Sequence, residues 1–385
     1  MIKILVDNNI DIDEYIKSIC FVSSSIIDVE REDNQIKIVL NDAGDCEKIE
    51  KYLIQAMKKY KKINSEQDSY FKNDILRSEY YKLEQSTQVF FFGMGQIGFG
   101  EKGKFLLEYF DLMFEKIASQ LGAIEKMYPA LLPIRGYAKT GYLKKTPQYA
   151  MFCSGINDSI ESLEQTASSV NENNVKKIVK EPEYALSPSA CFHTYIEYEN
   201  KTLNNNSIVT FRQNVFRNEG RLNYNEIGRL CDYHVREIVM IGSNEFVVEM
   251  RDKIMGKSVD IMKKLELKGD ITLASDSFVV PKMQMYRKIQ RIDKSKYEMH
   301  LNVNESKSIS TASFNLHGKA FTDPFNIRVE GVEDTVTACV GFGLQRWVIA
   351  FLSQYSLDES KWPEIIREKY LNYKKEKRIY ELSES

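Results

Sequence analysis

Two clusters of basic, acidic and aromatic residues carry the strongest chemical signal in this sequence of 385 residues. The first is Phe216-Arg217-Asn218-Glu219, followed after a turn-rich stretch by Arg229 and by Tyr233 to Glu237. SIVTFRQNVFR and YHVREIVMIG read as the two arms of a long antiparallel hairpin. Side chains two apart on a strand share a face, so Arg217 lies with Glu219, and Tyr233 with Val235 and Glu237. Such a hairpin can hold a nucleotide, with Arg217 neutralising an α-phosphate and the Tyr233 ring flat against adenine. The same residues also suit a plain cross-strand Arg–Glu pair. The second cluster is Thr337-Ala-Cys339-Val-Gly341-Phe-Gly343-Leu-Gln-Arg346, a strand that ends in glycines and a helix with Arg346 in its first turn. Cations are disfavoured at helix N-termini, so Arg346 there implies a compensating anion such as a triphosphate. Gly93 to Gly98 spells a literal GxGxxG. The next helix begins several residues later and no second βαβ unit is evident, so this segment reads as a glycine-rich connector and not as a dinucleotide site.

These residues need elements to position them. Residues 20–28 and 35–40 read as strands joined by an Asp-Asn turn, and 43–62 as an amphipathic helix ending in a basic patch. Residues 64–86 are polar and read as a linker. The expected division is a small α+β domain with linker over 1–88 and a larger domain over 89–385. The larger domain opens with a helix at 102–120 and a strand at 123–128, stopped by Pro129. Residues 155–180 read as a polar surface excursion, and the C-terminus as one charged helix.

Composition bounds the rest. Lys and Arg total 53 and Asp and Glu total 55, a formal charge of −2. That balance argues against broad nucleic-acid binding by phosphate neutralisation, though not against a local basic groove. With 43% apolar and 11% aromatic residues the chain can build a core. No apolar run approaches the roughly 18 residues of a membrane span, and the N-terminus is too acidic for a signal peptide, so a cytoplasmic protein is expected. None of the six cysteines lies in a CxxC pair, and reduced thiols are the default without export. By spacing alone Cys191 and Cys339 are buried apolar thiols.

Taken together, the helix at 102–120 with its strand and Pro129, FRNE…Tyr233…Glu237, and GFGLQR resemble motifs 1, 2 and 3 of class II aminoacyl-tRNA synthetases. ALSPSACFHTY, REIVMIG, Thr140 to Lys144 and TACVGFGLQRWVIAFLSQYSLDESKWP narrow the resemblance to the atypical zinc-dependent seryl-tRNA synthetases and the related amino acid:[carrier protein] ligases. It covers about residues 99–365. It implies an α+β fold, an antiparallel sheet flanked by helices, and a homodimer built on motif 1. It implies Zn2+ on Cys191, Glu237 and Cys339, drawn from three separate strands, with a fourth position open for an amino group. His193, by alternation, faces away. The implied chemistry is adenylation with ATP and Mg2+: Arg217 on the α-phosphate and carboxylate, Glu219 on the adenine amino group, Tyr233 as the stacking ring, Arg229 and Arg346 on the triphosphate. Asn315 falls near the amino-acid site. Gln345 stands where an acidic residue often precedes the arginine, which leaves the orientation of Arg346 open. For the acceptor, the short and nearly neutral N-terminal region favours the thiol of a holo-carrier protein loaded with a small amino acid and makes tRNA unlikely. The alternatives are a seryl-tRNA synthetase-like enzyme or a catalytically silent paralogue.

Overall fold

Alternation starts the chain: in Ile2-Lys3-Ile4-Leu5 the two isoleucines are buried and their neighbours exposed. This strand (β1, Ile2–Leu5) is followed by a helix (α1, Ile12–Ile19), two strands (β2, Ile26–Glu32; β3, Gln35–Leu40) and a second helix (α2, Cys46–Met57). The three strands form an antiparallel sheet in the order β1-β3-β2. Its core gathers Ile4, Tyr15, Ile36, Ile38, Leu53 and Tyr60. The computed structural model describes residues 1–41, 45–63, 69–77, 79–171 and 174–383. Parts of the expected linker (64–68 and 78) and of the expected excursion (172–173) lie outside the described residues.

The expected strand at 20–28 begins only at Ile26. The Asp11 carboxylate accepts from the Glu14 N–H and starts α1. The apolar residues at the far end of that helix are then used in turns, with Phe21 N–H bonded to Ser18 and Val22 N–H to Ile19. Of the helix expected over 43–62, Cys46–Met57 is helical and 58–62 is not, while 43–44 lie outside the described residues.

The larger part of the chain is built on one eight-stranded sheet. Its order is Ser69–Asn73, Gly269–Leu273, Lys296–Asn302, Ser308–Gly318, Val336–Gly343, Asp232–Gly242, Ser207–Phe216 and Ile124–Glu125. All neighbours are antiparallel except the last pair, which is parallel. The helices Glu101–Gln120 (α3), Asn244–Lys264 and Leu344–Tyr355 cover one face. There the even-numbered Ile238, Met240, Val340 and Phe342 are buried, and Phe342 stacks on Phe114 of α3 with ring centroids 4.0 Å apart. The odd-numbered positions of the same strands turn to the other face, which carries the chemistry.

The hairpin read from 207–242 and the helix read from 102–120 are present. The strand expected at 123–128 shrinks to Ile124–Glu125. The Lys126 N–H still bonds the Thr210 carbonyl at 2.9 Å, and the side chains of Lys126 and Tyr128 both bind Glu197. Gly93 to Gly98 forms the tip and second arm of a small hairpin, Val89–Gly93 with Gln96–Phe99. Gly95 has φ +73°, and a Cβ there would meet the Arg229 carbonyl oxygen at 2.6 Å. It is a packing contact, not a phosphate loop. Residues 155–180 include an amphipathic helix, Ile160–Ser169, which lies largely exposed. No helix among the described residues is long and apolar enough to cross a membrane.

Arg236 fastens the sheet to α3. Its side chain is buried, its Nε and Nη2 donate to the two carboxylate oxygens of Asp111 at 2.7 and 2.9 Å, and its Nη1 donates to Glu125. Arg236→Ala leaves the buried Asp111 carboxylate without its main partner, so a loss of about 3–5 kcal/mol is expected in urea unfolding. On the far side of the sheet His300 sits 3.3 Å from Asp270 and 3.5 Å from Glu298. Burial disfavours its charge, but the bonds to the two carboxylates outweigh that and lift its pKa to about 9. A raised histidine stabilises fully below its unfolded value of about 6.5 and loses that contribution as pH rises through about 9. Melting temperature should therefore fall across that window, and His300→Gln should flatten the fall.

Candidate active site

The antiparallel register sets the site. Glu237 lies opposite Gly341 and Val239 opposite Cys339, so Glu237 and Cys339 are diagonal neighbours on one face. Cys191 joins them from outside the sheet. It is the N-cap of a short helix, Phe192–Glu197, and does not lie on a strand as expected. One sulfur or oxygen atom from each of the three residues lies within 4.8 Å of the others, and all three side chains are buried. Gly341 makes the room: a Cβ there would sit 2.7 Å from Glu237 Oε2. Ser189 Oγ lies 3.3 Å from Cys191 Sγ, and Asn315 Nδ2 and His317 Nε2 each lie 3.6 Å from Cys339 Sγ.

The chemistry of this cluster asks for a cation. Burial lifts the Glu237 carboxyl to about 7. The Cys339 thiol is pushed well up by its bond to Cys191 and by burial. Glu237 and Cys339, which resist ionisation when left alone, become good ligands once a dication is present, and the Cys191 sulfur stands beside them. Two sulfurs and one carboxylate fit zinc, and a three-ligand set leaves one tetrahedral position open. His193 faces away, as expected, and is held by the Leu131 carbonyl at 3.0 Å and Gln213 at 3.2 Å.

Of the proposed nucleotide residues, Tyr233 lies on the strand that carries Glu237, Arg217, Glu219 and Arg229 lie on the loop between Phe216 and Asp232, and Arg346 lies in the first turn of the helix beginning at Leu344. Arg217 follows the strand end directly. Its N–H bonds Cys231 O at 2.8 Å, its Nε donates to Pro188 O at 2.9 Å, and its guanidinium lies 5.5 Å from the centre of the Tyr149 ring. Glu219 is buried, with Arg229 Nη1 3.5 Å away. Arg346 lies over the Tyr233 ring at 4.7 Å and donates from Nη1 to Ser310 O at 3.3 Å. Its Nε is buried without a hydrogen-bond partner. Gln345 does not touch this group. Its amide holds His234, accepting from the backbone N–H at 2.8 Å and bonding Nδ1 at 2.9 Å. The orientation of Arg346 therefore comes from Tyr233 and Ser310.

Sequence reasoning missed the far wall. Lys296 pairs in register with Asn315, which pairs with Cys339, so the three make one row across the sheet. Lys296 is ion-paired to Asp276 and sits 3.0 Å from Glu298. The visible signal is three ionisable residues at period two, Lys296, Glu298 and His300. Tyr149, against Arg217, carried no comparable signal.

No protein-family profile matches the chain. A type-2 serine–tRNA ligase from Methanococcus aeolicus is 27% identical over 409 aligned positions, covering 96% of this chain and 77% of that enzyme. One from Methanocaldococcus jannaschii is 28% identical over 276 positions, covering 67% of this chain and 52% of that enzyme. The chain is homologous to the type-2 serine–tRNA ligases. Among solved structures, the SerRS of Methanopyrus kandleri, crystallised with A. aeolicus tRNASec, has a TM-score of 0.70 at 20% identity and covers 95% of this chain and 76% of that one. The cytoplasmic serine–tRNA ligase of Naegleria fowleri, crystallised with AMP, has a TM-score of 0.57 at 11% identity, over 84% of this chain and 70% of that one. The class II synthetase fold expected from the motifs is thus present.

These relatives overturn the expected acceptor. The carrier-protein reading and the expectation that tRNA is unlikely both rested on the short N-terminal region and the near-zero net charge. The M. aeolicus match spans nearly the whole chain, and the relatives are tRNA ligases. The physical error lies in using a sum: net charge averages over the molecule, whereas RNA is met by a local face.

The metal cluster makes a direct prediction. Cys339→Ser protein should hold less transition metal after purification than the wild type, read by elemental analysis. Gly341→Ala should lower it as well, because the added methyl forces Glu237 aside. Metal content unchanged in both variants would mean that these three side chains are not the ligands.

Proposed function

We propose that this chain is an ATP-dependent ligase that activates serine as an adenylate and transfers it to tRNA. The observation that carries this reading is that Arg217 is near enough to act on Glu237 of the Cys191, Glu237 and Cys339 cluster, with Arg229 beside Glu219 and Arg346 over the Tyr233 ring. The homology to type-2 serine–tRNA ligases supports serine and tRNA as the substrates. Activation is an in-line displacement: a serine carboxylate oxygen attacks the α-phosphorus of ATP, the bond to the β-phosphate oxygen breaks, and pyrophosphate leaves. No side-chain nucleophile is needed. The work of the protein is positioning and charge neutralisation.

Arg217 holds the α-phosphate and the serine carboxylate. Its own position is set by Pro188 and the Tyr149 ring. Glu219 accepts from the adenine amino group, and the Tyr233 ring packs on the base. Arg229 and Arg346 bind the triphosphate, with Mg2+ as its counter-ion, and the unpaired Nε of Arg346 has a donor to give. Cys191, Glu237 and Cys339 hold Zn2+, which when bound supplies a Lewis-acidic anchor for the serine amine. Asn315, between Lys296 and Cys339, faces the amino acid. Burial of Glu237 and Cys339 keeps water away from this end of the pocket. The exposed Leu112, Ile124 and Met127 on the motif 1 elements and just after them support a homodimer through that face.

Serine-dependent exchange of labelled pyrophosphate into ATP tests the first step, and charging of tRNA in the same preparation tests the second. Arg217→Ala should lower kcat/KM of exchange by about 100- to 1,000-fold, as expected for removal of one preorganised charge at the reacting centre. Wild-type protein that shows no serine-dependent exchange would sink the proposal.

A further inference from the structure

The N-terminal unit is seated on the loop that joins the two arms of the hairpin carrying Arg217 and Tyr233. Asn223 Nδ2 donates to the Lys17 carbonyl oxygen, near the end of α1, at 3.0 Å, and to the Glu219 carbonyl oxygen at 2.6 Å. One amide thus ties the N-terminal helix to the residue proposed for adenine. Arg221 donates to the Ile26 carbonyl. Gly220, at φ +90°, lies flat against the turn after α1: a Cβ there would stand 2.6 Å from Cys20 Sγ and 2.7 Å from the Phe21 ring.

A second footing lies on residues 277–287. Tyr60 Oη donates to Val279 O at 2.7 Å, and Ser277 Oγ donates to Glu14 at 3.2 Å. Arg287, almost fully buried, pairs with Asp11. The two footings flank a narrow cleft whose walls include Lys17, Phe21, Tyr149, Glu219, Asn223 and Arg229. Two of these come from the N-terminal unit and two are proposed ATP residues.

Between Phe216 and Asp232 the chain has no regular structure except one 3-10 turn, Asn223–Asn225. A loop without its own ladder takes its shape from what it touches. Here its first half, Asn218 to Asn223, touches α1, the turn after it, Ile26 of β2 and Tyr149, while its second half, Gly228 to Cys231, rests on Ile309 and Gly95. We infer that the N-terminal unit is a working part of the nucleotide site: Lys17 and Phe21 form the wall behind Glu219 and Arg229, and seating of the unit holds the loop in the shape ATP requires. The inference rests on the assignment of Glu219 and Arg229 to ATP made above. Lys17, Phe21 and Asn223 are positioning residues in this scheme.

The test uses the full chain and binding of a non-hydrolysable ATP analogue by equilibrium dialysis. Asp11→Ser keeps an oxygen to cap α1 but removes the carboxylate that faces Arg287. Phe21→Ala trims a partly exposed ring and serves where loss of the ion pair unfolds the N-terminal unit. Analogue binding should weaken on the order of tenfold in folded variants, while metal content and the KM for serine stay at wild-type values. Wild-type affinity retained in Phe21→Ala, alongside weakened binding in Arg229→Ala, would overturn the inference and leave the ATP assignment standing. Wild-type protein that does not bind the analogue would overturn both.

Discussion

The antiparallel register between Asp232–Gly242 and Val336–Gly343 is the constraint on which the site depends. Neighbouring residues of one strand serve opposite masters. Arg236 points to α3 and is bonded to Asp111, while Glu237 points to the pocket and meets the two cysteines. A slip of one residue would exchange them, placing a carboxylate against a helix acid and a guanidinium among thiols. Gly341 opposite Glu237 is part of the same constraint, because the carboxylate occupies the space a side chain would need.

Buried charge is handled in three ways on this one sheet. On the helix side Arg236 is fully matched by carboxylates. Along the far wall Asp276, Lys296, Glu298, His300 and Asp270 form a chain of alternating sign. At Cys191, Glu237 and Cys339 three acids meet, with Arg217 near enough to act on Glu237. The first two arrangements are self-sufficient. The third is the arrangement that the proposed Zn2+ would complete, which is how a binding site differs electrostatically from a structural ion pair.

Legibility in the sequence followed the range of the interactions. The hairpin arms, α3 and the helix beginning at Leu344 were readable because apolar spacing and flanking glycines are local. The pocket was partly readable. Arg217, Glu219, Tyr233 and Arg346 stood out by type and position, but Cys191 and Cys339 gained a metal role only through a family resemblance, since 147 intervening residues separate them. The start of β2 was misread because Phe21 and Val22, apolar enough for a strand, are spent on turns after α1. The acceptor was misjudged because a balanced charge count says nothing about where the charges lie.

By itself the sequence determined the two long hairpin arms, α3 and the helix beginning at Leu344, and it singled out Arg217, Tyr233 and Arg346 as candidates for a nucleotide, while Glu219 and Arg229 gained their proposed roles only through the family resemblance. The local readings rest on side-chain periodicity and on dipole preferences, both of which act within a few residues. Only the tertiary structure decided that Cys191 approaches from a helix N-terminus, that Lys296, Asn315 and Cys339 share a row, and that α1 stands behind Glu219. Each of these depends on strand order, register or the docking of one unit on another. Such contacts join residues far apart in the chain, and no local pattern records them.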